Sequence, residues 1–201
     1  KNYGYNEPIF INEIQLDGFN DNALRQYFKR MLKSGDLARF DTGIYYLPKA
    51  SRLLKKSYLD PMKVIMRKYI QSTTETYGYF AGATFANQIG LTTQMPATLE
   101  IVTSKESTKG RTVTVGSQAV RLKRPATTIT SENAALLQLL DAVSQAEKYS
   151  ELSALETRNL LRNYAKQQNY SKELLSSVLS GITGPTAKKL IEWGIIYEFT
   201  S

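Results

Sequence analysis

Between Asn20 and Pro48 the sequence writes a helix, a hard stop and a hairpin in immediate succession, an order that few small domains accommodate. Asn20 or Asp21 can accept a bond from a free helical N–H. The apolar residues Leu24, Tyr27, Phe28 and Met31 then follow at i, i+3, i+4 and i+7, one stripe facing a core. Ser34-Gly35 ends the run, because glycine enters the left-handed cap conformation without steric cost. Two β-rich runs, Leu37-Ala38-Arg39-Phe40 and Ile44-Tyr45-Tyr46-Leu47-Pro48, flank the turn Asp41-Thr42-Gly43. Ahead of the helix, Asp17-Gly18-Phe19-Asn20 is turn chemistry, and Asn6-Glu7-Pro8 followed by Ile9, Phe10, Ile11 and Ile14 reads as a short helix with proline in its first turn. Helix, turn, helix and hairpin predict a winged helix-turn-helix with the hairpin as wing. A complete domain of this kind needs one more helix first; only Lys1 to Tyr5 precede the pattern, so that helix is expected to be truncated or encoded upstream.

The outward face of the predicted second helix carries Asn22, Arg25, Gln26, Lys29, Arg30 and Lys33. Residues 25 to 68 hold 12 Lys/Arg against 3 Asp/Glu, whereas the rest of the chain has 14 against 15, so the net charge of +8 is local. Arginine can pair with guanine O6/N7, and asparagine or glutamine with adenine N6/N7, in a major groove. Arg39 on the wing, with Lys49, Arg52, Lys55 and Lys56 beyond it, is placed for phosphate, which sets register and affinity without reading sequence. The bland alternative is a solvated amphipathic face. Tyr45 and Tyr46 alternate across a strand, so one is expected in the core and the other outside.

Composition closes most of enzymology. With no cysteine there is no disulfide, thiolate nucleophile or sulfur-ligated zinc, and with no histidine the commonest general base and metal ligand is missing. The sequence predicts no catalytic residue, no metal and no cofactor. Gly116-Ser117 is read as a hairpin turn because no Asp-x-Asp follows, Gly181 to Thr186 lacks the lysine of a phosphate loop, and Glu151, Glu156 and Glu173 are read as exposed helical positions. No apolar run is long enough for a membrane span, and the default address is the cytoplasm.

The fold class expected is α+β: a DNA-binding domain with its basic connector over residues 1–58, and a second domain over 59–201 with a small antiparallel sheet and a helical bundle. Asp60-Pro61 should open a helix through about Gln71, and Phe80 to Ile89 reads as another. Strands are expected at Ala97 to Thr103, Arg111 to Val115 and Gln118 to Lys123. Helices follow at about 132–147, 152–167, 171–180 and 185–193, with Ile195 to Phe199 as a closing strand.

Gly43-Ile44-Tyr45-Tyr46-Leu47-Pro48 and, more specifically, Gly90-Leu91-Thr92-Thr93-Gln94-Met95-Pro96 resemble segments of the AbiEi-type antitoxins of type IV (abortive infection) toxin-antitoxin systems. The resemblance covers roughly residues 6 to 124 by motif. It implies an autorepressor that binds inverted repeats in its own promoter and counteracts a nucleotidyltransferase-like toxin without a stable complex. Thr92, Thr93 and Gln94 would then be a candidate antitoxin surface; the competing reading is that they satisfy backbone groups in a turn. A different class of function also fits: a protein-interaction antitoxin that blocks its toxin directly, with the basic N-terminal region incidental. An RNA-binding or nuclease-like enzyme fits less well, for want of histidine and clustered acidic ligands.

Overall fold

A computed structural model describes residues 3–14, 20–50 and 57–199. The protein is α+β, and the chain divides into two compact units. The first comprises Lys1–Arg67 with Val115–Ser117, and the second Lys68–Thr114 with Gln118–Ser201.

In the first unit, α1 (Asp21–Ser34) is bounded by the caps its sequence predicts. Asn20 Oδ1 accepts from the Ala23 N–H at 2.8 Å, and Gly35 sits at φ 84° with its N–H on the Leu32 carbonyl. The helix lies in a core with a three-stranded sheet, order β1-β3-β2, made of β1 (Ile9–Phe10), β2 (Ala38–Asp41) and β3 (Ile44–Tyr46). Both strand pairs are antiparallel, Ile9 facing Tyr45 and Arg39 facing Tyr45, with a bulge between Arg39 and Asp41. Ile9, Leu24, Phe28 and Leu37 are buried together. Phe28 meets Tyr45 edge-on, with centroids 4.9 Å apart, so Tyr45 is the tyrosine that packs inward.

Two expectations fail here for tertiary reasons. The short helix expected from Asn6 to Ile14 is instead the strand β1 followed by a 3-10 turn, Ile11–Glu13. Pairing with β3 satisfies the backbone there and buries Ile9, which a local helical pattern could not weigh. Tyr27, assigned to the core stripe, is 44% exposed, whereas Leu24 and Phe28 are buried and Met31 packs against them. The turn expected at Asp17 to Phe19 lies outside the described residues, and so do residues 15 and 16 before it.

Asp60 caps α2 (Pro61–Ile65), its carboxylate accepting from the Met62 N–H, and the helical path continues as a π-turn, Met66–Ile70. In the second unit a four-stranded sheet has the order β4-β5-β7-β6: β4 (Gly78–Phe80), β5 (Thr98–Thr103), β6 (Arg111–Val115) and β7 (Gln118–Lys123). The expected antiparallel sheet is therefore mixed. β4 runs antiparallel to β5, but β5 and β7 pair in parallel, Glu100 facing Arg121 and Ile101 facing Leu122. The sequence conveys the β6–β7 turn, but not that β7 inserts beside β5 and pushes β6 to the edge. The link from β5 to β6 is pinned by Glu106, which accepts from the Thr108 N–H and hydroxyl and from Arg111 Nε.

Helices α3 (Gly82–Gln88), α4 (Ala134–Tyr149), α5 (Ala154–Gln168), α6 (Lys172–Val178) and α7 (Gly184–Glu192) complete the unit. The start of the helix expected from Phe80 belongs to β4. The strand expected at Ile195 to Phe199 is a 3-10 turn, Ile195–Glu198, whose Ile195 joins the helical core instead of a sheet. That core is centred on α4, whose Leu136, Leu139 and Val143 pack with Leu161, Leu190 and Ile195. No helix among the described residues is long and apolar enough to cross a membrane.

Candidate nucleic-acid interface

On α1, Leu24 and Phe28 turn inward, and the helical period then forces Asn22, Arg25, Gln26, Lys29, Arg30 and Lys33 outward; all six are exposed. Arg25, Lys29 and Lys33 carry no ion pair among the described residues. Arg30 places its guanidinium 5.9 Å from the Tyr27 ring centroid, so the exposed tyrosine extends the same face. The one acidic residue in the first turn, Asp21, lies at the N-terminal end, where the helix dipole favours it. What results is a cationic ridge with two amide side chains near its N-terminus, free to approach a polyanion.

The basic residues beyond the helix divide into several groups. Arg39 is folded over its own hairpin: its Nη2 donates to Thr42 Oγ1 at 2.9 Å and its Nε to the Asp41 carbonyl at 3.3 Å. Its expected phosphate contact is thus in competition with an internal job, shaping the turn. Lys49 is held by its backbone, since its N–H donates to Asn6 Oδ1 and its carbonyl accepts from Asn6 Nδ2, while its ammonium lies 5.2 Å from the Tyr5 ring centroid. Asn6, at φ 54°, is a positioning residue that the sequence did not mark; its only signal there is that asparagine tolerates the left-handed region better than most residues. Farther on, Lys63 is paired with Glu7 and Arg67 with Glu13, the latter at 2.7 Å. Both are thereby removed from the uncompensated charge. Arg52, Lys55 and Lys56 lie outside the described residues.

In the second unit, Thr92, Thr93 and Gln94 have a common partner that neither sequence reading named. The Glu151 carboxylate accepts from Thr92 Oγ1 at 2.7 Å, the Thr93 N–H at 2.8 Å, Thr93 Oγ1 at 3.2 Å and Gln94 Nε2 at 2.6 Å. The Glu151 N–H in turn donates to the Leu91 carbonyl. These donors, the Thr92 hydroxyl first among them, favour the ionised form and hold the carboxyl down to about 2. Glu151 is exposed, as expected, but it lies between α4 and α5 and not in a helix, and its carboxylate anchors the loop between α3 and β5. The polar side chains of the candidate antitoxin surface bond to it; Thr92 is buried, whereas Thr93 and Gln94 stay exposed beside Met95, which is 85% exposed.

A second polar network lies under the same sheet. Glu100 on β5 is buried, pairs with Lys123 Nζ at 2.5 Å and accepts from the Tyr149 hydroxyl at 2.9 Å. Burial raises its pKa, but the hydrogen bonds and charge of Lys123, with Tyr149 and the Ala83 N–H, outweigh this and leave it lowered. Asp141 on α4 goes the other way: burial dominates and raises it, despite the bond from Gln145 Nε2 at 2.7 Å. The Tyr79 hydroxyl is likewise pushed up, by burial and by the Asp141 charge. Among the described residues no group of three or more acidic side chains is placed to hold a metal ion.

Residues 6–169 match a family of unknown function, DUF6088. No curated protein matches the sequence.

Proposed function

The chain belongs to the DUF6088 family, whose name carries no activity, and from its own residues we propose that it is a sequence-specific DNA-binding repressor with α1 as its recognition helix. The observation that carries the reading is the uncompensated face of α1, Asn22 to Lys33, on a helix packed against a sheet of order β1-β3-β2. The reading is supported by the order of a strand, a helix and a two-stranded ribbon, with the first strand pairing the last; the helix expected ahead of α1 is a strand and a 3-10 turn at Ile9 to Glu13. In this reading Asn22, Arg25 and Gln26 contact base edges, Lys29, Arg30 and Lys33 contact phosphates, and the β2–β3 ribbon is the wing.

The resemblance to AbiEi-type antitoxins extends the proposal. The repressor acts on inverted repeats in its own promoter, and the second unit serves antitoxicity toward a nucleotidyltransferase-like toxin through the loop that Glu151 holds. No catalytic step is assigned to it. Retardation of a fragment bearing its own promoter tests the first claim. Arg25→Ala should cost about 1–3 kcal/mol on the specific site and far less on random DNA. Equal loss on both would make Arg25 a phosphate contact, and no retardation at modest salt by the folded full chain would refute the function. Co-expression with a neighbouring toxin gene tests the second claim: protection without co-purification fits it, while a stable complex would favour direct blocking.

A further inference from the structure

Between the end of β7, α4 and the connector that leads into α7, the second unit holds a cavity of about 250 Å³. Asp141 and Arg124 both line it, and among the described residues neither has an ion pair, with the other or with any third group. Lys123 is also part of the lining, but its ammonium is engaged by Glu100, so two carboxylates share one cation. Burial raises Asp141, whereas Lys123 and Tyr149 hold Glu100 down against its own burial. Asp141 Oδ1 accepts from Gln145 Nε2 at 2.7 Å, while Oδ2 has only the Gly82 N–H at 3.5 Å, the outer limit of a hydrogen bond. The hydroxyl of Tyr79, another lining residue, has no hydrogen bond among the described residues. A desolvated carboxylate with an oxygen to spare favours a cationic donor. Among the described residues no third acidic side chain joins Asp141 and Glu100 as a metal cage would require, so an organic ammonium is the cation that fits. The rest of the lining includes apolar side chains, Val102 and Leu140 buried, Leu137 and Ile182 half-buried.

We propose that this cavity binds a free α-amino acid with an aliphatic side chain, its ammonium on Asp141, its carboxylate on Arg124 and its side chain against Val102, Leu137, Leu140 and Ile182. Two unlike charges that share a cavity without pairing are complementary to a zwitterion, which satisfies both at once. The guanidinium presents parallel donors suited to a carboxylate. The volume lies below the roughly 300 Å³ at which pockets for drug-sized ligands begin, which suits a metabolite of amino-acid size. The site does not depend on the DNA-binding role proposed for α1.

Isothermal titration calorimetry of the full chain with L-leucine, L-isoleucine and L-valine tests the proposal. At least one of them should bind at a single site with Kd below about 1 mM. Isopentylamine and isocaproic acid are leucine without its carboxylate and without its amine, and each should bind at least about tenfold more weakly than leucine or not at all. Asp141→Asn, which keeps the shape but not the charge, and Arg124→Gln should each weaken binding by about 10- to 100-fold. Lys166→Gln, on α5 and outside the lining, should leave it unchanged. Arg124 is exposed, so its replacement leaves the fold intact and keeps the test open if Asp141→Asn does not fold. Ser144→Phe, at an exposed position of the lining, puts a ring into the cavity with both charges in place and should abolish binding. No binding by any of the three amino acids, binding of the amine or the acid as tight as that of leucine, or parent affinity in Arg124→Gln or Ser144→Phe overturns the proposal.

Discussion

Gly82 opens α3 at φ +54°, and a Cβ built there would overlap the Glu100 carboxylate, coming within 2.6 Å of its Cδ. Replacing it with alanine therefore has two separable costs. Left-handed backbone in a residue with a side chain costs about 1–2 kcal/mol. Displacing Glu100 from the Ala83 N–H, Lys123 and Tyr149 strands a buried charged acceptor, for about 1–3 kcal/mol more. Gly90 supplies the control, since it sits at φ +82° with nothing within 4 Å of its Cβ position, so Gly90→Ala bears the backbone term alone. Both substitutions share the gain of roughly 0.4–1 kcal/mol from a stiffer unfolded chain. Gly82→Ala should then be less stable than Gly90→Ala by about 1–3 kcal/mol. Urea unfolding followed by the fluorescence of the single tryptophan, Trp193, reads the second unit. If the two variants agree within about 0.5 kcal/mol, the limit of ordinary non-additivity, Glu100 is not holding that junction and the network reasoning is wrong.

Phe28→Ala removes the ring that seats α1 on Tyr45 and should cost about 3–5 kcal/mol, with loss of promoter retardation at a temperature where the parent is folded; tyrosine near-UV dichroism checks the packing. Glu151 is held well below its ordinary value, so its contribution is complete above about pH 4.5 and declines as pH falls toward 2. Thermal melts across that range should show a steeper acid loss in the parent than in Glu151→Gln, and parallel profiles would dismiss the anchor. Asn6→Ala breaks both bonds to the Lys49 backbone and places alanine at positive φ, for about 1–3 kcal/mol; Asn6→Gly, which keeps the backbone but not the bonds, should fall between it and the parent in urea titration.

What the amino-acid order determined by itself was whatever is decided within a turn or two of chain. Asn20 and Gly35 bound α1, Asp60-Pro61 starts α2, Gly116-Ser117 turns β6 into β7, and the helices α4 to α7 lie near their apolar periods. The cationic face of α1 was legible for the same reason, since a helix with one buried stripe has no choice about its opposite side. Tertiary structure decided what depends on a partner far along the chain. Ile9 is strand because Tyr45 lies beside it, and Tyr27 is left exposed although Leu24, Phe28 and Met31 of its stripe pack into the core. β5 pairs in parallel with β7 across an intervening strand. Glu151 collects Thr92, Thr93 and Gln94 from nearly sixty residues away. Periodicity and turn chemistry describe a segment's own backbone and faces, whereas the burial of a strand and the partner of a carboxylate are settled only when distant segments compete for the same neighbours.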